Sequence, residues 1–257
     1  MPNTETGSAK NTANVTKLKT AIQSFATGYN PSAVEIKLPA IITLESNLIT
    51  TMSSLHTAET DYKKAINARQ LAFEGMSLLS SRMESTLEGS GVTKKEITDG
   101  KAMKKKITGV RAKPIKEKTV NGTTPVLTVP TGTVDLNSSV EQVEHHSVSQ
   151  MSFDSRTENF KKYVTYLGSI TKYNPNENDL KITTLNTYTT GLLTLNTNVN
   201  STYDTLHAIR ATRDKYLFAD VTGAHDIVQQ VKNYVAGAFG GKKSSQYKLI
   251  SKILIKK

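Results

Sequence analysis

The stretch Tyr29-Asn30-Pro31 opens a segment of regular apolar spacing, and the same three residues return as Tyr173-Asn174-Pro175, 144 positions later. Asparagine suits the N-cap of a helix, where its side-chain oxygen accepts a hydrogen bond from a free backbone N–H. Proline suits the first helical position, where its missing N–H costs nothing. Both copies therefore predict a helix that begins at the proline. In the second copy, Glu177 completes a capping-box-like start.

Apolar residues recur every three or four positions after each opening, which places them along one stripe of a long helix. The first stripe holds Leu38, Ile41, Leu48, Met52, Leu55, Tyr62, Ile66 and Phe73. The second holds Ile182, Leu185, Leu192, Asn196, Val199, Leu206, Arg210 and Leu217. Each copy accommodates a helix of roughly 40 residues. Pro39 either kinks the first helix or marks its beginning, and a break within 196–201 is the alternative to one continuous second helix.

Shorter helix patterns flank each long one in the same order. A short helix precedes the long one, and a returning helix and a basic terminal helix follow it. Ser155 with Glu158 indicates a capping box at the start of the second short helix. We therefore predict an all-α protein of two pseudo-symmetric helical-bundle repeats, 15–109 and 153–257, behind a disordered polar tail at 1–14.

The segment between the repeats, 110–152, is rich in proline, glycine and threonine, which excludes a long helix. Asn121-Gly122 favours a type I′ turn, so a short β-hairpin is one interpretation of this segment. A mobile linker is the other, because a two-stranded hairpin alone is barely stable.

Parts of the second half are also similar to known sequences. These are Ser147-Val-Ser-Gln-Met-Ser-Phe-Asp-Ser-Arg156, and Tyr173-Asn-Pro-Asn-Glu-Asn-Asp-Leu-Lys181 together with the C-terminal tail. They resemble an uncharacterised family of duplicated helical proteins in Bacteroidota. The similarity is clearest over 147–257 and weaker over the first copy. The resemblance implies a duplicated helical fold and no particular activity, cofactor or site residue.

The composition excludes several classes of protein. The chain has no cysteine, which excludes a disulfide framework, a thiolate nucleophile and a cysteine-based zinc site. Residues 1–16 are polar and lack the apolar core of a signal peptide, and no apolar run is long enough for a membrane span. We expect a cytoplasmic protein, and export by a leaderless route stays open.

No set of residues predicts catalysis. His145-His146 could bind a metal, but adjacent side chains on an extended chain point to opposite sides. The glycine-rich run at 237–244 resembles a phosphate-binding loop, yet it is one residue short and follows a helix pattern. We predict that the protein is not an enzyme and needs no cofactor, metal or small-molecule substrate.

The positive charge is concentrated in two segments at matching ends of the copies. Residues 94–118 hold ten Lys and Arg against three Asp and Glu, and residues 232–257 hold seven Lys and no acidic residue, within a net charge of +11. Such segments either keep a protein soluble or bind nucleic acid, anionic lipid or an acidic protein surface. The candidate polyanion-binding residues are Lys101, Lys104, Lys105, Lys106, Lys242, Lys243, Lys252, Lys256 and Lys257.

Charged residues also interrupt the apolar stripes. Arg69 and Arg213 occupy the same stripe position of the two copies, while Glu45, Glu59 and Arg210 interrupt the stripes elsewhere. One interpretation is that the arginine stems lie along apolar surface and their heads pair with carboxylates. The other is that Arg69 and Arg213 set the pairing register or join one subunit to another.

These patterns favour a non-enzymatic structural or scaffolding protein that self-associates into a homo-oligomer or higher assembly through helical-bundle and linker contacts. The alternative is a sequence-non-specific binder of nucleic acid or another polyanion through the two lysine-rich segments. Because lysine is a flexible point charge, such binding should not depend on base sequence.

Overall fold

A computed structural model describes residues 7–109 and 151–256. These residues form α-helices and short 3-10 turns, with no β-strand among them, so the described part of the chain is all-α. The α-helices are α1 (Ser8–Ser24), α2 (Leu38–Glu74), α3 (Met76–Gly89), α4 (Lys94–Thr108), α5 (Phe153–Gly168), α6 (Ile182–Phe218), α7 (Ala224–Ala238) and α8 (Ser245–Ser251). The 3-10 turns are Ala26–Gly28, Val34–Ile36 and Asn178–Leu180. The predicted hairpin around Asn121-Gly122 lies outside the described residues.

The long helices α2 and α6 each have 37 residues and begin 144 positions apart. α6 continues without interruption through 196–201, so the predicted alternative of a break there is wrong. The predicted start at the repeated proline is also wrong, because α2 begins at Leu38. Pro39 lies in the first turn of α2, where the missing N–H removes no helix hydrogen bond, so it marks the beginning of the helix.

The repeated Tyr-Asn-Pro motif closes a loop instead of capping a helix. The hydroxyl of Tyr29 donates to the carbonyl oxygen of Ile36 (2.7 Å), and the hydroxyl of Tyr173 donates to that of Leu180 (3.2 Å). Burial, with smaller contributions from nearby carboxylates, raises the pKa of Tyr173 to about 12, so this hydroxyl keeps its proton at neutral pH. The tyrosine holds the chain in a loop over the following seven residues, and the asparagine and proline therefore begin no helix.

The described residues form two compact units, and each unit draws on both predicted copies. Unit 1, residues 7–71 and 195–256, contains α1, most of α2, the second part of α6, α7 and α8. Unit 2, residues 72–109 and 151–194, contains the end of α2, α3, α4, α5 and the first part of α6. The short helix of one copy thus shares a unit with the returning and terminal helices of the other copy.

The core of unit 1 forms where α1 contacts α7 and α8. Leu18 of α1, Ile41 of α2, Val231 of α7 and Ile250 of α8 belong to one cluster and are fully buried. A second cluster of the same unit joins Leu206 of α6 to the stripe of α2. The predicted stripes are therefore buried faces, and in unit 1 the two long helices contact each other through them.

Residues 8–14 were predicted to belong to a disordered tail, and this prediction is wrong because they form the first turns of α1. The side chain of Asn11 is buried and pairs with the backbone of Lys256: Nδ2 donates to its carbonyl oxygen (2.8 Å) and Oδ1 accepts from its N–H (3.1 Å). Asn14 Nδ2 donates to the carbonyl oxygen of Leu254 (2.8 Å). The polar composition of this segment thus reflects side-chain bonds that hold the C-terminal segment along α1.

The core of unit 2 forms where α4 contacts both α3 and α5. Phe160 and Tyr163 of α5 and Leu87 of α3 are fully buried in it. Gly100 of α4 is buried beside them, and a Cβ at this position would lie 2.6 Å from a methyl group of Leu87. A larger residue at Gly100 would therefore displace Leu87 from the contact between these helices.

The first turns of α4 and α5 carry serine and threonine caps. Thr93 and Glu96 form a capping box at the start of α4. At α5 the N-cap is Ser152, whose hydroxyl accepts a hydrogen bond from the backbone N–H of Ser155 (3.1 Å). The capping box predicted from Ser155 and Glu158 is therefore wrong, because Ser155 already lies inside the first turn of the helix.

Candidate anion-binding surface

The two lysine-rich segments belong to different compact units. The lysines predicted on the first segment lie on α4 in unit 2: Lys101, Lys104, Lys105 and Lys106. Those predicted on the second segment flank α8 in unit 1: Lys242, Lys243, Lys252 and Lys256. Lys257 lies outside the described residues. Each unit therefore has its own lysine-rich segment, and the two segments have different surroundings.

Carboxylates of α3 compensate much of the charge on α4. Lys101 Nζ lies 2.6 Å from Glu88 Oε1, and Lys104 Nζ lies 2.6 Å from Glu84 Oε2. The hydrogen bond and the charge of Glu88 raise the pKa of Lys101. These two candidate lysines are thus tied to their own unit, which leaves Lys105 and Lys106 exposed near the end of α4.

Unit 1 presents the larger uncompensated positive charge. Neither 7–34 nor 227–256 contains Asp, Glu or Arg, and these segments include α1, α8 and all of α7 after its first turn, which carries Asp226. Their lysines are Lys10, Lys17, Lys19, Lys232, Lys242, Lys243, Lys248, Lys252 and Lys256. Among the ion pairs of the described residues, one involves this set: Lys19 Nζ lies 2.7 Å from Glu45 Oε2. We call the exposed lysines of α1, α8 and the residues flanking α8 the unit 1 lysine surface.

Contact between α1 and α8 brings the lysines of both helices into one neighbourhood. The bond from Asn14 to the backbone of Leu254 fixes the residues after α8 against α1. Lys17 of α1 and Lys252, which follows α8, line the same groove, whose volume is about 610 Å³. Lysines of both helices thus contribute to one positive surface, and such a surface attracts an anion.

Sequence reasoning missed the α1 lysines, although one signal was available. The absence of Asp and Glu from 7–34 can be seen in the sequence. That α1 of the first copy adjoins α8 of the second depends on tertiary packing, and no local pattern encodes it. Lys248 within α8 was also missed, and it is exposed.

Lys232 differs from the other lysines of unit 1. Lys232 lies on α7 and is only 6% exposed, and burial lowers the pKa of its ammonium group. Lys232 therefore belongs to the interior of the unit, and we leave it out of the unit 1 lysine surface.

The arginines predicted to set register lie on the long helices and are partly buried. Arg213 pairs with Asp214 of its own helix, with Nη2 2.7 Å from Oδ1. Between helices of unit 1, Arg210 Nη2 of α6 lies 3.2 Å from Glu59 Oε1 of α2. The head of Arg210 thus pairs with a carboxylate across the bundle, as the first interpretation expects. A register or assembly role for Arg69 and Arg213 stays a prediction.

The described residues include no group of three or more His, Asp or Glu side chains arranged to hold a metal ion. His145-His146 lies outside them. In the run at 237–244, Gly237 lies in the last turn of α7, and Gly240 and Gly241 follow the end of this helix with positive φ angles of 81° and 98°. This run therefore ends a helix in the way that glycine commonly does.

No known protein family matches the chain, and no curated protein or solved structure matches it either. Among the described helices, none combines the length and the hydrophobicity that crossing a bilayer requires.

Proposed function

We propose that this is a non-enzymatic protein that holds a polyanion, with nucleic acid as the favoured class, on the unit 1 lysine surface. One observation supports the proposal most: α1 and α8 contact each other within two segments that contain no acidic residue. Among the described residues, one lysine of these segments has a carboxylate partner: Lys19, which pairs with Glu45. We expect the protein to act in the cytoplasm.

Binding on this surface should be insensitive to base sequence. The segments 7–34 and 227–256 contain no arginine, the residue that most often reads guanine through two parallel hydrogen bonds. Lysine instead contacts phosphates as a point charge on a flexible stem, which positions a nucleic acid without reading its bases. The surface would therefore bind DNA or RNA of any sequence with similar affinity.

The experiment is DNA binding at low and moderate salt. If about five phosphates are neutralised, the log–log salt slope should be near −4.5, and affinity should fall by roughly several hundredfold between 50 and 200 mM salt. A variant with five lysines of unit 1 changed to glutamine should lose most of this slope: Lys242, Lys243, Lys248, Lys252 and Lys256.

The matched control changes five exposed lysines of unit 2 to glutamine: Lys94, Lys95, Lys105, Lys106 and Lys161. This variant should bind nearly as the wild type does. No binding at low salt, or equal losses in the two variants, would remove the proposal.

Self-association is the second candidate function, and exposed apolar side chains favour it. On α2, Ile42 and Ile49 are 40% and 52% exposed and lie seven residues apart, on one face of the helix. On α6, Leu193 is 43% exposed at the position that matches Ile49. Apolar residues at such positions suit a contact between copies of the chain.

Light scattering at two salt concentrations tests self-association. We expect an oligomer that persists at moderate salt, because apolar contacts are not screened as charges are. Changing Ile42 and Ile49 to glutamine should give a monomer, whereas changing the exposed neighbours Thr43 and Thr50 to glutamine should not. A wild-type protein that is monomeric in both conditions would leave only the binding role.

We also infer that the chain consists of two copies of one ancestral helical unit. The support is the equal length of α2 and α6, their spacing of 144 positions, and the matching tyrosine bonds to Ile36 and Leu180. The two copies would then have diverged in charge, so that one lysine-rich segment is paired internally and the other is free to bind.

A further inference from the structure

The groove between α1 and the C-terminal part of unit 1 has a mixed surface. Three of its lining residues are apolar: Ala21 of α1, Leu249 of α8 and Ile253 beyond it. Ala21 and Ile253 are buried, whereas Leu249 is 57% exposed. An aliphatic ligand in the groove would cover the exposed side chain of Leu249 and contact the buried apolar base formed by Ala21 and Ile253.

The hydroxyl groups along the α1 side of the groove already donate to their own helix. Thr16 donates to the carbonyl oxygen of Thr12 (3.4 Å), Thr20 to that of Thr16 (3.1 Å), and Ser24 to that of Ala21 (2.7 Å). Their protons are therefore occupied, and this wall offers few donors to a ligand. The oxygens of these hydroxyl groups can still accept a hydrogen bond, so the ammonium groups of the groove are its main donors.

Two ammonium groups supply the charge of the groove. Lys17 and Lys252 are its charged lining residues, and both are exposed. Neither has an ion-pair partner among the described residues, and the segments 7–34 and 227–256 that carry them contain no acidic residue. The groove is thus complementary to one negative headgroup joined to an apolar chain.

The corresponding helix of unit 2 has a large residue where α1 has a small one. The buried positions of α1 and α5 match at a displacement of 145, which pairs Ala21 with Tyr166. Tyr166 packs beside the core of unit 2, and its hydroxyl donates to the carbonyl oxygen of Glu96 (2.9 Å). Alanine at position 21 leaves space beside α1. In unit 2, the ring of Tyr166 fills the corresponding space beside α5.

We propose that this groove binds a single-chain carboxylate amphiphile of the medium-chain fatty acid class. The carboxylate would accept from Lys17 and Lys252, and the alkyl chain would cover Ala21, Leu249 and Ile253. The volume of about 610 Å³ lies within the range of small-molecule sites. This ligand goes beyond the proposed polyanion, because a nucleic acid has no alkyl chain to place on the apolar base.

The test is a titration of the full chain with decanoate, at concentrations below those at which decanoate forms micelles. Calorimetry and NMR of the protein's methyl groups monitor the binding. Butyrate, which has the charge without the long chain, and decyl maltoside, which has the chain without the charge, are the comparison ligands. We expect decanoate to bind with shifts at the methyl groups of Ala21, Leu249 and Ile253. The two comparison ligands should bind at least about tenfold more weakly.

Three variants locate the site. Ala21→Tyr should remove decanoate binding by filling the groove, and Lys17→Gln should weaken it about tenfold by removing one charged donor. Leu249→Gln gives a second test of the apolar contact that folding should tolerate, because the side chain is exposed. Lys95→Gln, on the exposed surface of unit 2, is the matched control and should have no effect.

The outcomes separate this proposal from the proposed function. Loss of decanoate binding in Ala21→Tyr with unchanged DNA binding supports the groove, since that variant keeps every lysine. Equal binding of decanoate and decyl maltoside, or decanoate binding that survives both Ala21→Tyr and Leu249→Gln, would overturn the proposal. Failure of DNA binding alone would leave the groove standing.

Discussion

Two separate chains, residues 1–112 and 148–257, are expected to purify as a one-to-one complex when they are expressed together. Each compact unit takes buried side chains from both pieces: Leu18 and Ile41 contribute to the core of unit 1 from the first piece, and Val231 and Ile250 from the second. Each piece alone would expose these apolar surfaces to water, at about 25 cal/mol for each Å². Either piece alone should therefore aggregate or show little helical signal.

The measurement is affinity purification through a tag on one piece, followed by circular dichroism of the pieces alone and together. Leu18→Asp in the first piece combined with Leu167→Asp in the second should abolish the complex, because both residues are fully buried. The exposed neighbours Lys17→Asp and Thr165→Asp are the matched control and should leave it intact. Two pieces that each fold as a monomer would contradict this description of the fold.

Lys19→Met is expected to destabilise unit 1 by about 3 kcal/mol, the lower end of the range for breaking a buried ion pair. The Glu45 side chain is only 8% exposed, and its carboxylate lies 2.7 Å from the ammonium group of Lys19. Removing that ammonium group leaves a buried negative charge on the face of α2 that also carries the buried Ile41 and Leu48. The lower end applies because the Lys19 side chain is itself 23% exposed.

Urea denaturation followed by circular dichroism measures this loss. The double variant Lys19→Met with Glu45→Leu should recover most of it, since a well-packed apolar pair often replaces an ion pair without cost. Lys17→Met, two residues away and exposed, should change the free energy of unfolding little. A Lys19→Met protein as stable as the wild type would show that the pair contributes nothing to the fold.

The long helices could be predicted from the sequence because a 3-4 apolar spacing is a local property. Leu48, Leu55, Leu192 and Leu206 of the predicted stripes are all buried, and both helices have the expected length. The start of α2 was misjudged because Asn30 and Pro31 have the composition of a helix cap. Instead, the hydrogen bond from Tyr29 to Ile36 holds these residues in a loop. A bond to a residue seven positions ahead cannot be predicted from local composition.

The candidate surface was predicted only in part, because charge compensation depends on which helices adjoin. Lys101 and Lys104 were predicted as candidate polyanion-binding residues, but they pair with Glu88 and Glu84 of α3, a contact that the local sequence does not encode. Conversely, Lys17 of α1 belongs to the surface because α1 packs against α7 and α8, which are distant in the sequence. Net charge along a segment reports what the chain carries, while the packing of helices decides which of these charges is available to a partner.

Lysine footprinting by mass spectrometry tests the central claim most directly. The full chain would be acetylated at low salt with and without duplex DNA, and labelling would be compared lysine by lysine. We expect protection of Lys242, Lys248 and Lys256 in unit 1, with Lys105 and Lys106 of α4 labelled equally in both samples. Protection confined to α4, or no protection of the unit 1 lysines while DNA is bound, would contradict binding on the unit 1 lysine surface.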